Sequence, residues 1–97
     1  MCGIFAAMTR RGLSTSRRDA ALKCMEHRGP DGAGTWTSRD GLWTLGHTRL
    51  SIIGLDNGGQ PMTGPDGSVH MVANGELYGY REIRERLRST GIRFATD

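Results

Sequence analysis

Residues 27–34, His-Arg-Gly-Pro-Asp-Gly-Ala-Gly, place three glycines and a proline within eight positions. Proline locks φ and glycine reaches backbone angles closed to other residues, so this stretch fixes a path that ordinary residues could not follow. It reads as the loop between a helix and a strand. Upstream, Ser16 is placed to cap a helix running to about His27, and Asp19 three residues later resembles a capping box with a shorter acid. Ala20, Ala21, Cys24 and Met25 or His27 fall at helical spacing and give that helix one modest apolar face, with Cys24 as a small core residue. The loop itself has two readings. It is a plain connection whose Arg28 and Asp31 form an exposed ion pair of little energetic worth, or a rigid loop that presents an arginine to a site.

The remaining segments alternate between turn signals and short periodic runs. Cys2 to Met8 is apolar on both faces, as a strand buried on two sides would be. Gly12 punctuates a turn over Arg10 to Thr15. Thr35–Thr37 and Leu42–Leu50 read as strands joined through Arg39, Asp40 and Gly41, Asp-Gly being a strong hairpin signal. Along the second of them Trp43, Leu45, His47 and Arg49 share one face. A strand histidine in this position reads as a hydrogen-bonded structural residue. Arg49, at the end of a mostly apolar strand, suits recognition of an anion, since its planar fork holds a carboxylate through two charge-assisted bonds. Leu55 to Ser68 is rich in turn residues and is the natural place for a flap or a passive loop. Val69 to Ala73 reads as a strand ending in Asn74-Gly75, which is either an ordinary turn or a side-chain amide and a backbone N–H paired as donors for an oxyanion. Leu77 to Ser89 forms an amphipathic helix, with Leu77, Tyr80, Ile83 and Leu87 on one face and Glu82 paired with Arg86. Gly91 ends it, and Ile92 to Thr96 starts another strand.

Composition narrows the function classes. A chain of 97 residues suits one small domain. Its 13 basic residues against 10 acidic ones leave a net charge of +3, and glutamates interleave with the arginines of the last helix, so a nucleic-acid surface is not indicated. Ile4 to Met8 is too short to span a membrane and is followed, not preceded, by Arg10 and Arg11, unlike a secretory signal. Cys2 and Cys24 lack metal-ligand spacing, and the two free thiols read as those of a reducing cytoplasm.

One residue offers nucleophilic chemistry. A cysteine directly after the initiator methionine becomes the first residue if Met1 is removed, and Cys2 then carries a free α-amine beside its thiol. Such an amine titrates near pH ~8 and a thiol near ~8.5, so the amine is able to accept the thiol proton. Nucleophile and base would then reside in one residue. Read on position alone, Cys2 is better taken as an inert residue in a frayed terminus.

Four blocks decide between these readings: Met1-Cys2-Gly3-Ile4, His27-Arg28-Gly29-Pro30-Asp31, Gly46-His47-Thr48-Arg49-Leu50-Ser51-Ile52 with Gln60-Pro61-Met62 behind it, and Asn74-Gly75-Glu76-Leu77-Tyr78. In this order and spacing the chain resembles the start of a class II glutamine amidotransferase, the N-terminal-nucleophile glutaminase domain, most closely its asparagine synthetase branch. The resemblance implies an α+β fold, with residues 1–97 as the N-terminal part of a four-layer αββα sandwich. It implies that Cys2 attacks the side-chain amide of L-glutamine, that its α-amine shuttles the proton, and that water hydrolyses the resulting glutamyl thioester. Asn74 and Gly75 would form the oxyanion hole. Arg49 would clamp the substrate α-carboxylate, Leu50, Ser51, Ile52, Ile53 and Glu76 would complete the pocket, and Arg28, Gly29, Pro30 and Asp31 would shape the wall beside Cys2. His47 has no catalytic role in this scheme.

No metal or cofactor is implied for this half-reaction. ATP and magnesium belong to a separate, ammonia-accepting synthetase domain, and no membrane or nucleic acid enters. Two features depart from the family pattern. Gly79 stands where asparagine is usual, loosening the start of the helix, and the Ser-Asp-x-Glu continuation whose aspartate binds the substrate amino group is expected just beyond Asp97. The rival reading is a truncated, non-catalytic fragment or a binding module that retains the motifs.

Overall fold

A computed structural model describes residues 1–52 and 56–96. It is a small α+β structure of two antiparallel sheets and two helices. The elements run β1 (Gly3–Met8), α1 (Thr15–Met25) continued by a 3-10 turn (Glu26–Arg28), β2 (Gly32–Thr37), β3 (Trp43–Arg49), β4 (Met62–Thr63), β5 (His70–Met71) and α2 (Tyr80–Ser89).

β3 is the centre of the larger sheet, whose order is β1-β3-β2, antiparallel throughout. The β2–β3 connection closes as the Asp-Gly signal predicts. Asp40 Oδ1 accepts from Ser38 Oγ at 2.5 Å and from Leu42 N at 3.0 Å, and Gly41 takes a φ of +77° that a side chain would strain. These hydrogen bonds to its ionised form hold the Asp40 carboxyl below its ordinary range.

The alternation of β3 sorts its neighbours into two layers. Thr44, Gly46 and Thr48 face α1: Thr48 Oγ1 donates to the Met25 carbonyl at 3.1 Å, and a Cβ on Gly46 would collide with the Phe5 ring. The opposite face meets the β4–β5 hairpin through Trp36, which stacks on His70 with ring centroids 3.9 Å apart. Gly34 lies on that same side, where a Cβ would collide with the Gln60 carbonyl. Two close approaches on opposite faces thus depend on glycines of neighbouring strands.

Several sequence-based expectations are corrected. α1 is capped by Ser14, not Ser16; Ser14 Oγ accepts from Arg17 N at 3.4 Å. Asp19 pairs with Arg18 and completes no capping box. α1 meets the sheet at Met25, whose carbonyl accepts from Thr48, so the half-buried stripe is Arg18, Ala21, Leu22 and Met25, and Cys24 is exposed. β1 is an edge strand among the described residues, with one covered face; Ile4 and Met8 on the other face are exposed. The connection expected over Leu55 to Ser68 starts at a residue outside the described set, and its far end is a hairpin: Met62 pairs with Met71, and Gly64 N donates to the Val69 carbonyl at 2.8 Å.

The last segment differs more. Gly79, at φ +75°, sits at the N-cap of α2 with no side-chain cap, so the helix starts at Tyr80 and leaves Leu77 outside it. The ion pair on α2 joins Arg88 to Glu85 in place of Arg86 to Glu82. Gly91, at φ +90°, turns the chain as expected, with Ile92 N reaching the Leu87 carbonyl at 3.2 Å. Residues 92–96 form no strand; Phe94 folds back beneath Arg84, whose guanidinium lies 4.7 Å from the ring centroid.

Gly46 carries the fold prediction. Gly46→Ala forces the Phe5 ring aside in the centre of the sheet and is expected to destabilise the protein by about 1–3 kcal/mol. Combining it with Phe5→Leu restores part of the loss. Thermal melts of the two variants check this; equal melting temperatures for Gly46→Ala and the parent would contradict it.

Candidate active site

Cys2 stands one residue outside the ladder, since pairing of β1 with β3 begins at Gly3 and Thr48. Its sulfur instead meets the chain just after β3. Leu50 N donates to Cys2 Sγ at 3.4 Å, and the thiol lies 3.8 Å from the Leu50 carbonyl.

The 27–31 loop ties this corner together. Arg28 and Asp31 form no ion pair with each other. Arg28 Nε donates to the Cys2 carbonyl at 3.3 Å. Gly29 is packed so tightly on the Thr48 carbonyl that a Cβ would not fit. Pro30 bridges to Arg49. Asp31 then grips the end of β3 at two points: its N–H donates to the Arg49 carbonyl at 2.9 Å, and its Oδ2 accepts from Ser51 N at 2.7 Å. The residues following β3 are thereby fixed against Cys2 without belonging to a sheet.

On the other side of Cys2 opens a cavity of about 360 Å³. Met1, Cys2, His47, Arg49, Leu50 and Ile52 line it from the β3 side, and Gly58, Gln60, Ala73, Asn74, Gly75 and Glu76 line it from the other. Of the residues singled out in the sequence, Cys2, Arg49, Leu50, Ile52, Asn74, Gly75 and Glu76 therefore share one space. Ser51 is held beside it by Asp31, and Ile53 lies outside the described residues. Met1 is 73% exposed. Its peptide bond occupies the nitrogen of Cys2.

Of the lining residues, the sequence marked one only as a hydrogen-bonded structural histidine and gave a second no part. His47 is buried, at 2% exposure, but its Nε2 has no hydrogen-bond partner among the described residues. Burial lowers its pKa from the ordinary 6.5, and the neighbouring Arg49 guanidinium pushes the same way, so the imidazole is neutral at pH 7. The signal for this burial lay in its pairing positions: His47 is flanked by Ile4 and Gly34, and Gly34 admits the 56–61 connection over it. The second residue is Gln60, whose side chain bonds to the backbone of Ala73 in both directions.

Comparison with known proteins gives this arrangement its context. A family model described as a glutamine amidotransferase domain matches residues 1–97. A probable asparagine synthetase [glutamine-hydrolyzing] of Dictyostelium discoideum is 39% identical over 94 residues, covering 94% of this chain and 16% of that protein. Asparagine synthetase [glutamine-hydrolyzing] 1 of Bacillus subtilis is 38% identical over 102 residues, covering 100% and 16%. Amidase chry2 of Gibberella zeae is 40% identical over 100 residues, covering 90% and 15%. The chain thus spans about a sixth of the length of these relatives.

The buried imidazole generates a pH prediction. Because the folded-state pKa of His47 is depressed, its unfolded form binds the proton first as pH falls. Stability is complete above pH 6.5 and declines as the pH drops from there through the lowered folded value. Melting temperatures measured between about pH 7.5 and 5 are expected to fall in the parent and to fall less steeply in His47→Gln.

Proposed function

The chain belongs to the family of glutamine amidotransferase domains, and from that premise we propose that its cavity is a glutaminase site with Cys2 as nucleophile. The observation that carries the reading is the meeting of Cys2, Arg49, Asn74, Gly75 and Glu76 around one space. These residues come from three separated stretches of sequence.

The chemistry runs from Cys2. Once Met1 is removed, the freed α-amine takes the thiol proton, with the Leu50 N–H at 3.4 Å supporting the developing thiolate. Sulfur attacks the side-chain amide carbon of L-glutamine. The carbonyl oxygen becomes an oxyanion, which the Asn74 side-chain amide and the Gly75 N–H stabilise as donors set in place beforehand. The tetrahedral species collapses as the C–N bond breaks, and the α-ammonium gives its proton to the departing ammonia. A water molecule then attacks the glutamyl thioester, the amine again taking the proton, and releases glutamate and the thiol. Arg49 supplies the fork for the substrate α-carboxylate. Leu50, Ser51, Ile52, Ile53 and Glu76 complete the pocket, and the Arg28–Asp31 loop holds its wall.

In this reading residues 1–97 are the first part of a four-layer αββα glutaminase domain. The helix α1, the β1-β3-β2 sheet and the β4–β5 hairpin correspond to its first three layers. The ammonia passes to a synthetase domain in the same chain, where ATP and magnesium activate the acceptor, and the two free cysteines accord with a cytoplasmic enzyme. Among the described residues no helix is long and apolar enough to cross a membrane.

One observation favours the rival reading, a non-catalytic unit that keeps the motifs: no apolar side chain among the described residues is fully buried.

Intact-mass measurement on the natural protein, before and after a glutamine-mimicking electrophile, separates the two. Loss of Met1 with a single adduct that disappears in Cys2→Ala supports the glutaminase; retained Met1 and no adduct support the rival. For the pocket, Arg49→Lys keeps the charge but loses the fork. It is expected to raise KM for glutamine about ten-fold or more in an ammonia-release assay while changing kcat less, a loss of roughly 1.4 kcal/mol in binding.

A further inference from the structure

Gln60 connects the two sides of the cavity in a way that the scheme above leaves unused. Its backbone carbonyl is seated on Gly34 of β2, at a spot where any Cβ would collide. From that anchor its side chain reaches Ala73: Nε2 donates to the Ala73 carbonyl at 3.1 Å, and Oε1 accepts from Ala73 N at 2.6 Å. A primary amide bonded both ways to one residue does the work of a neighbouring β-strand. The smaller sheet needs such a substitute, because its register ends at Met62 and Met71 and Ala73 lies two residues beyond.

The consequence falls on the next two residues. Holding both the N–H and the C=O of Ala73 fixes the two peptide planes that flank it, since each peptide unit is rigid. The second of those planes contains the Asn74 N–H, from which the Asn74 side chain and the Gly75 N–H follow. We infer that Gln60 is a positioning residue that sets the Asn74 and Gly75 donors at the angle an oxyanion requires. The inference rests on the glutaminase reading of those two donors. Gln60 and Ala73 border the cavity, yet in this role Gln60 acts on the substrate only through Asn74 and Gly75. Donors set in place beforehand stabilise the transition state more than the bound amide, so loss of the clamp lowers kcat and leaves KM nearly untouched.

The test uses the intact natural protein and its release of ammonia from glutamine. Gln60→Met keeps the length of the side chain and removes both bonds. Its kcat is expected to fall about 10- to 100-fold, below the loss of about 10²–10³ for deleting an oxyanion donor outright, with KM within about three-fold of the parent. Iodoacetamide, which alkylates Cys2 without needing an oxyanion hole, should react at the parental rate. Adding Gln60→Met to Asn74→Ala should cost little more than Asn74→Ala alone, because both changes remove the same stabilisation. Gln60→Glu is the second variant if the first does not fold; its carboxylate still accepts from Ala73 N but opposes the Ala73 carbonyl, and the same fall in kcat is expected. An unchanged kcat, or kcat, KM and alkylation failing together, overturns the inference. If Asn74→Ala itself keeps full activity, the oxyanion reading fails and the inference with it. If Asn74→Ala collapses kcat while neither Gln60 variant does, only the inference fails.

Discussion

The pairing of β3 along both of its edges is the constraint on which the rest of this structure depends. Thr44, His47 and Thr48, the buried polar side chains among the described residues, all belong to this one strand. Its backbone polar groups are satisfied by β1 on one side and β2 on the other, which is the condition for burying them. Because side chains alternate along a strand, that single ladder also decides what lies above and below. Small residues at 44, 46 and 48 admit α1 and the Phe5 ring, while Leu45, His47 and Arg49 face the side where the hairpin and the cavity lie.

The corner beyond β3 obeys a different rule. Regular pairing ends at Arg49, and the next residues are held by Asp31, whose carboxylate and N–H both bond to that stretch. Ala73 is held likewise, by the Gln60 side chain. At Ala73 a side chain alone, and beyond β3 a side chain together with a backbone N–H, supplies the hydrogen bonds that a strand would otherwise give. This leaves the backbone around the cavity fixed but not pleated. Preorganisation of this kind places functional backbone at the margin of a scaffold.

Much of this was legible in the sequence, for reasons that differ by segment. The β2–β3 hairpin was plain because Asp40-Gly41 dictates its turn locally. The helix faces were read less well: which stripe of α1 is covered is set by its contact with the sheet at Met25, and that contact leaves Cys24 exposed. The strand read at residues 92–96 is absent because this segment turns back on α2, with Phe94 under Arg84, and lies along no strand edge among the described residues. The Cys2, Arg49 and Asn74 constellation came from block order and spacing; no local pattern brings positions 2, 49 and 74 together. Gln60 stood within a quoted block but carried no role, since its partner is a backbone group thirteen residues away, and backbone partners leave no mark in composition.

The ladder between β1 and β3 also has an order in time. Gly3 pairs with Thr48, so the amino terminus finds its place only after about 45 further residues have been made. At ~5–20 residues per second of synthesis, that interval is on the order of a few seconds. The hairpin of β2 and β3, joined by a short turn, closes locally, and β1 then adds to a finished edge. During the wait the first residues are an unpaired tail open to an aminopeptidase, and afterwards the sulfur of Cys2 is lodged against Leu50. The topology therefore docks the amino terminus last, after the strand that receives it has been made.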